Sequence, residues 1–292
     1  MIAESSHAVP SKRTVMRRLL ANRSAVLAIV LLLVIVIVCA AAPLFAPYDP
    51  SAQPDIIHGK NLPPSAQHPF GTDDYSRDVL SRVLYGGRLS LSVALVATLV
   101  SITFGTVYGA VAGYAGGIVE AVMMRMLDAL LSIPRLLLLI AIFALWQGIS
   151  VKAFVFLIGL TGWYSLSRIV RGQVLAIKGE EFVMSARALG AGSTRILFRH
   201  ILPNVLTPVI VAAALGVGHV ILLEAGLSYL GMGLQPPTPS WGNIMFDVSA
   251  IQFATFWWVA LFPGMAIVLT VMAFNVLGEA LREALEPRGM RV

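Results

Sequence analysis

The chain of 292 residues is 58% hydrophobic and only 12% charged, with a mean hydropathy of +0.83. Soluble domains carry about 25% charged and roughly 45–50% apolar residues, which excludes a water-soluble fold of this size and a disordered chain alike. The formal charge of +6 would suit nucleic acid, but the placement of the basic residues assigns it to membrane topology instead.

Lys12, Arg13, Arg17, Arg18 and Arg23 precede a charge-free run of 25 residues, Ser24–Tyr48. About 20 apolar residues cross a ~30 Å hydrocarbon slab. A cleaved signal peptide has an apolar region of only ~7–15 residues, so this run reads as an uncleaved first transmembrane helix. Its Cys39 is the single cysteine of the chain, which rules out an intrachain disulfide. The next segment, 49–88, is rich in proline (Pro50, Pro54, Pro63, Pro64, Pro69), and its first half reads as extended chain. In Ser76–Tyr85, Val79, Leu80, Val83 and Leu84 fall at helical spacing behind Asp78. That pattern predicts an interfacial helix lying on the membrane, with a plain tether as the alternative.

Leu89–Val119 is the second span. Its Gly105, Gly109 and Gly113 share one helix face, where another helix can approach closely. The third span, Val119–Gln147, contains Arg125, Asp128 and Arg135. The uncharged stretch after it, Leu136–Val151, is 16 residues, about 24 Å of helix, so the Asp128–Arg135 turn is expected at the inner membrane edge. On a continuous helix these three charges fall within about 80°. A mid-bilayer charge costs about 2.5–3.5 kcal/mol on insertion scales, and Arg125 is expected to pair with Asp128, either as a packing ion pair or as a substrate contact. The fourth, fifth and sixth spans are Lys152–Arg171, Asn204–Leu230 and Phe256–Leu281.

Between the fourth and fifth spans, 172–204 carries a helix pattern over Glu180–Leu189. It mixes Phe182, Val183, Ala186 and Leu189 with Glu181, Ser185 and Arg187, and Gly190 and Gly192 end it. So short a helix needs a partner surface for its apolar residues; lipid headgroups, favoured by Arg187, Arg195 and Arg199, fit equally well. Glu224, in the fifth span, either lines a translocation path or caps an interrupted helix near Gly226. His219 lies about 140° away around that helix, which disfavours a metal site from the pair. With the N-terminus inside, cytoplasmic segments hold the five basic residues before the first span, Arg168, Arg171, Lys178, Arg187, Arg195 and Arg199, and Arg282, Arg288 and Arg291. Only Lys60, Arg77, Arg82, Arg88 and Lys152 lie outside, so both termini are expected in the cytoplasm. The expected organisation is a cytoplasmic tail (1–23), a first helix (24–48), an extracytoplasmic segment (49–88), a five-helix core (89–281) with the loop 172–204, and a cytoplasmic tail (282–292).

The sequence contains no G-x-x-x-x-G-K-[ST], no H-E-x-x-H and no G-x-S-x-G. A carrier with no catalytic residues, no metal and no cofactor of its own is therefore expected. Glu181-Phe-Val-Met-Ser-Ala-Arg-Ala-Leu-Gly190 and Arg199-His-Ile-Leu-Pro-Asn204 resemble the "EAA" loop of bacterial ABC importer permeases. Met184, Ser185 and Ala186 stand at the E-A-A positions, and Gly190, Leu202 and Pro203 match; Met184, Ser185 and His200 depart from the pattern. His68–Arg82, in which Ser76 stands where glycine is usual, resembles the external signature of the second permease subunit of peptide and nickel importers. Gly113–Gly117 running on through Pro134, Glu224–Gly233 and Gln235–Gly242 resemble other stretches of that subunit.

This resemblance implies an all-α, six-span type I importer fold in the bacterial inner membrane, with Glu180–Gly190 as a cytoplasmic coupling helix. Glu181, Ser185, Ala186, Arg187, Leu189 and Gly190 would meet a separate ATPase, and Arg125, Asp128 and Glu224 are candidates for the translocation path. The implied partners are a similar second permease, two ATPase subunits that bind ATP and Mg, an extracytoplasmic solute-binding protein and membrane lipid, with no nucleic acid. Short peptides are the expected substrate and nickel or another small solute the alternative; a secondary transporter and a membrane scaffold are rival readings.

Overall fold

The computed structural model describes residues 12–146, 148–235, 237–246 and 255–285. The expected tail residues 1–11 and 286–292, Gln147 at the end of the third span and Pro236 lie outside them. Every regular element described is helical: α1 (Lys12–Ala21), α2 (Arg23–Ala40), α3 (Ala42–Phe45), α4 (Val79–Ala115), α5 (Gly117–Leu131), α6 (Arg135–Leu145), α7 (Val151–Leu160), α8 (Tyr164–Lys178), α9 (Glu181–Ala188), α10 (Ser193–Ile196), a π-turn (Leu197–Ile201), α11 (Leu202–Tyr229), α12 (Trp241–Phe246) and α13 (Trp257–Leu285). Helix starts follow local chemistry. The Asn22 side chain accepts from the Ser24 and Ala25 N–H groups at 3.0 and 3.2 Å, and Asp78 accepts from the Ser81 N–H at 2.8 Å.

Four continuous helices are long and apolar enough to cross a membrane: Arg23–Ala40, Val79–Ala115, Ser193–Tyr229 and Trp257–Leu285. The bent pairs α5–α6 and α7–α8 raise the number to six when each counts as one crossing. Three expectations change. The separate interfacial helix over Ser76–Tyr85 does not exist. These residues lead straight into α4, whose 37 residues span about 55 Å, and Val79, Val83 and Leu84 are buried in the bundle. Gly86 and Gly87 do not break α4 but admit its neighbours. A Cβ on Gly87 would collide with Cys39 Sγ and lie 2.9 Å from the Trp241 ring.

The third span is broken by 72° between α5 and α6. Pro134 has no N–H and turns the residue before it away from helix, so the helical wheel that grouped Arg135 with Arg125 and Asp128 does not apply. The fourth span bends by 41° between Leu160 and Tyr164.

The glycine stripe packs as expected. Gly105 faces the Trp163 carbonyl and Leu166, Gly109 faces Ser167 and Val170, and Gly113 faces Arg171 and Val174, so α4 and α8 run parallel with their backbones in contact. α11 is antiparallel to α4, with Gly216 beside Thr98 and Glu224 at Ser90, and α13 is antiparallel to α11, with Gly218 near Val271 and Gly278 against Leu215. Arg18 Nη1 donates to the Ala284 carbonyl at 2.9 Å, fastening α1 to the end of α13. One end of the bundle therefore gathers α1, α9 and the C-terminal ends of α4, α8 and α13. The other end holds residues 46–78, α12 and the start of α13.

Candidate functional site

α9 is held by one residue. Val183 is fully buried with Val170, Val174, Ile196 and Val205, whereas Phe182, Met184 and Leu189 are 45%, 52% and 88% exposed. Glu181, Ser185, Arg187 and Gly190 are also exposed, and Ala186 is half-buried. The helix ends in a reversal in which the Gly190 N–H donates to the Arg187 carbonyl and the Ala191 N–H to the Ala186 carbonyl, each at 3.0 Å. This pair of crossing bonds requires a left-handed residue, and Gly190 supplies it at φ +82. A Cβ there would meet nothing within 4 Å: the backbone conformation, not crowding within the chain, calls for glycine. The six residues expected on the coupling helix thus lie on one protruding element with an unpartnered apolar surface.

The path candidates are arranged differently from expectation. Arg125 does not pair with Asp128; Asp128 pairs with Arg168 of α8, and Arg125 is exposed with no acid in ion-pair contact among the described residues. The preference for a neighbour three residues away lost to an arginine forty residues on, because α8 packs along α5. One turn nearer the α4 end, Arg171 Nε donates to Glu120 Oε1 at 2.6 Å. Arg135 turns away from both, donating to the Ile158 carbonyl at 2.7 Å and Thr161 Oγ1 at 3.2 Å, where it caps α7. Glu224 has no exposed surface and accepts from Ser90 Oγ at 3.1 Å and Ser228 Oγ at 2.8 Å. It does not cap an interrupted helix, since α11 continues to Tyr229. His219 is exposed on another side of α11. Among the described residues, no group of three His, Cys, Asp or Glu side chains is placed to hold a metal ion.

At the opposite end, residues 46–78 form a cap whose logic the sequence did not reveal. Asp73, fully buried, accepts from Arg77 Nε at 2.7 Å and from the Tyr75 and Arg77 N–H groups at 2.9 Å, and it pairs with Arg82. Asp78 accepts from Ser81 Oγ at 2.7 Å and meets His68 Nδ1 at 2.9 Å. Trp258 Nε1 donates to the Thr72 carbonyl at 3.1 Å, and Phe70 stacks on Phe262 at 3.8 Å, so the cap is fastened to the start of α13. Further out, the His58 and Ile57 N–H groups hold the Asp55 carboxyl below the usual carboxylate range. Only the density of Asp and Arg in Asp73–Arg82 could have signalled the buried cluster.

Residues 105–291 match the profile of a family described as "Binding-protein-dependent transport system inner membrane component", and residues 12–64 match the "N-terminal TM domain of oligopeptide transport permease C". The chain belongs to this permease family. The permease is 40% identical over 272 residues to the dipeptide transport system permease protein DppC of Bacillus subtilis (strain 168), covering 93% of this chain and 84% of that protein. It is 36% identical over 277 residues to the oligopeptide transport system permease protein OppC of the same organism, covering 94% and 89%. To OppC of Haemophilus influenzae (strain ATCC 51907 / DSM 11121 / KW20 / Rd) it is 39% identical over 272 residues, covering 93% and 87%. With its apolar helices, the permease is a multi-pass inner-membrane protein.

Proposed function

We propose that this permease forms half of a translocation pathway for short peptides, paired with a homologous second permease, two ATPase subunits and an extracytoplasmic binding protein. Relatives named for dipeptide and oligopeptide transport, aligned over more than nine-tenths of the chain, support the substrate class. The observation that carries the mechanism is α9: a short helix pinned by Val183, presenting Phe182, Met184 and Leu189 to a surface outside this chain. In this reading α9 docks on an ATPase subunit. The ATPases alone bind ATP and Mg, and this chain performs no chemistry. Both termini and α9 face the cytoplasm, as the excess of Lys and Arg at that end supports. The residues 49–88 then face outward to receive the binding protein, and six crossings follow from counting each bent pair once.

Arg125, exposed on α5 without a counterion among the described residues, is assigned to the water-filled path, where a peptide carboxylate could meet it. Asp128 lies one turn further along α5, held by Arg168, and Glu224 supports the path wall from behind through its serines.

The decisive variant is Gly190→Trp in the reconstituted complex. Tryptophan disfavours the left-handed turn and adds bulk to the docking surface, so insertion is expected to be normal while ATP hydrolysis no longer drives uptake. Normal uptake with normal expression would refute the docking assignment. For the substrate, the cognate binding protein is expected to bind di- to hexapeptides; tight nickel binding without peptide binding would overturn the peptide reading and leave the permease assignment standing.

A further inference from the structure

We infer that α5 is a hinged strut latched to α8 by the ion pairs Glu120–Arg171 and Asp128–Arg168, and that release of this latch converts displacement of α9 into opening of the pathway at that end. The inference deepens the docking role proposed for α9 and rests on it.

α5 is poorly anchored by apolar packing: of its 15 residues only Leu127 is buried. Both of its ends are joints. At one end Gly116 and Gly117 hold successive positive φ values of +69 and +57, and a Cβ on Gly117 would meet nothing within 4 Å. At the other end the chain turns by 72° before α6.

Polar ties fix α5 against its neighbours. Besides the two ion pairs, the Tyr108 hydroxyl donates to the Met123 carbonyl at 2.8 Å. The two arginines stand three residues apart on one face of α8, and α8 leads through Gly179 and Glu180 into α9. α8 in turn cannot slip against α4, because Gly105, Gly109 and Gly113 bring the two backbones into contact. A push on α9 therefore moves α8 and α4 together, against an α5 that buries only Leu127. The pairs suit a latch. Asp128 and Arg168 are each 52% exposed, and Arg171 is 38% exposed beside a mostly buried Glu120. Where water reaches them, partly exposed pairs of this kind contribute little net stability and can break and re-form, unlike the buried Asp73 cluster at the other end.

The test uses the full complex in proteoliposomes with the cognate binding protein. Glu120→Arg and Arg171→Glu, and separately Asp128→Arg and Arg168→Asp, are expected to lower uptake per ATP hydrolysed by roughly fivefold or more, the lower end of typical coupling between sites. Each charge-swapped double variant is expected to recover toward wild type. Wild-type uptake and hydrolysis in the neutral double variant Glu120→Gln/Asp128→Asn would overturn the latch. Should a reversal block assembly, spin labels at the exposed positions Val122 and Leu175 of the otherwise wild-type complex give a second reading. Their separation is expected to change on adding ATP and Mg, and an unchanged separation in a complex that retains its ATPases refutes the latch. Failure of the docking reading shows differently, as undiminished co-purification of the ATPase subunits with a Leu189→Asp permease.

Discussion

Ser76 occupies a left-handed backbone position at φ +62, and its hydroxyl is buried without a hydrogen-bond partner among the described residues. The conformation costs a non-glycine residue about 1–2 kcal/mol, and the unsatisfied hydroxyl about 1–3 kcal/mol. Glycine removes both and adds about 0.5–1 kcal/mol of chain entropy to be lost on folding. Ser76→Gly is therefore expected to stabilise the permease by about 1 kcal/mol or more, read as a higher unfolding temperature in detergent; a lower one would contradict this account of the cap. Glu224 offers the complementary case. Glu224→Gln keeps an acceptor for the Ser90 and Ser228 hydroxyls, whereas Glu224→Leu leaves both buried donors unmet, a loss of about 1–3 kcal/mol. The same melting measurement should rank leucine well below glutamine, and equal melting would remove the serine network from the account. At this scale the sequence was legible where a residue's role is local. Gly190 was readable as the end of a short helix because left-handed turns favour glycine. The partners of Asp128 and Arg82 were not, since α5 meets α8, and Asp73 meets α4, only after the chain has folded.

Among the elements, the helices most legible in the sequence were those whose apolar runs have one interpretation: α2, α11 and α13. The bend within the fourth span was hidden because a bent pair has the same composition as a straight helix, whereas the break in the third lies at Pro134, a signal the helical wheel across Arg125–Arg135 passed over; the early start of α4 was hidden because Gly86–Gly87 reads as punctuation. The glycine stripe was legible as a face of close approach, since a four-residue spacing lines one side of a helix, but its partner α8 was not. It also makes a quantitative expectation. A Cβ on Gly109 would collide with the Ser167 carbonyl and lie 2.8 Å from Val170 Cβ, while Gly172, on the open side of α8, has nothing within 4 Å. Gly109→Leu is expected to cost about 1–3 kcal/mol or more through overpacking, and Gly172→Leu almost nothing. Equal thermal stability of the two variants would show that the α4–α8 contact yields more readily than its geometry implies.

For the molecule as a whole, the proposed orientation is open to chemical labelling. Pro64 and Ser193 are both exposed, at opposite ends of the bundle, and the native Cys39 is buried. A cysteine at Pro64 is expected to react with an impermeant thiol reagent added outside intact cells, and one at Ser193 only after lysis; the reverse pattern would invert the topology. The asymmetry of basic residues that predicts this is sharper in the fold than in the sequence, because Arg77 and Arg82, two of the five on the outer side, are drawn into the cap by Asp73.

The length of α4 has one more consequence. Its first turn is clamped by the cap, through Asp78 and Ser81, and its last turns are locked to the helix that carries α9. A single rod of about 55 Å thus connects the two faces of the membrane and can hold only one tilt at a time. Two ligands that bind opposite faces and each prefer a given tilt must change one another's affinity by the same factor, because linkage between equilibria is reciprocal. In the proposed complex, solute delivery at one face and nucleotide occupancy at the other would be two ligands of one lever, each open to titration by watching the other.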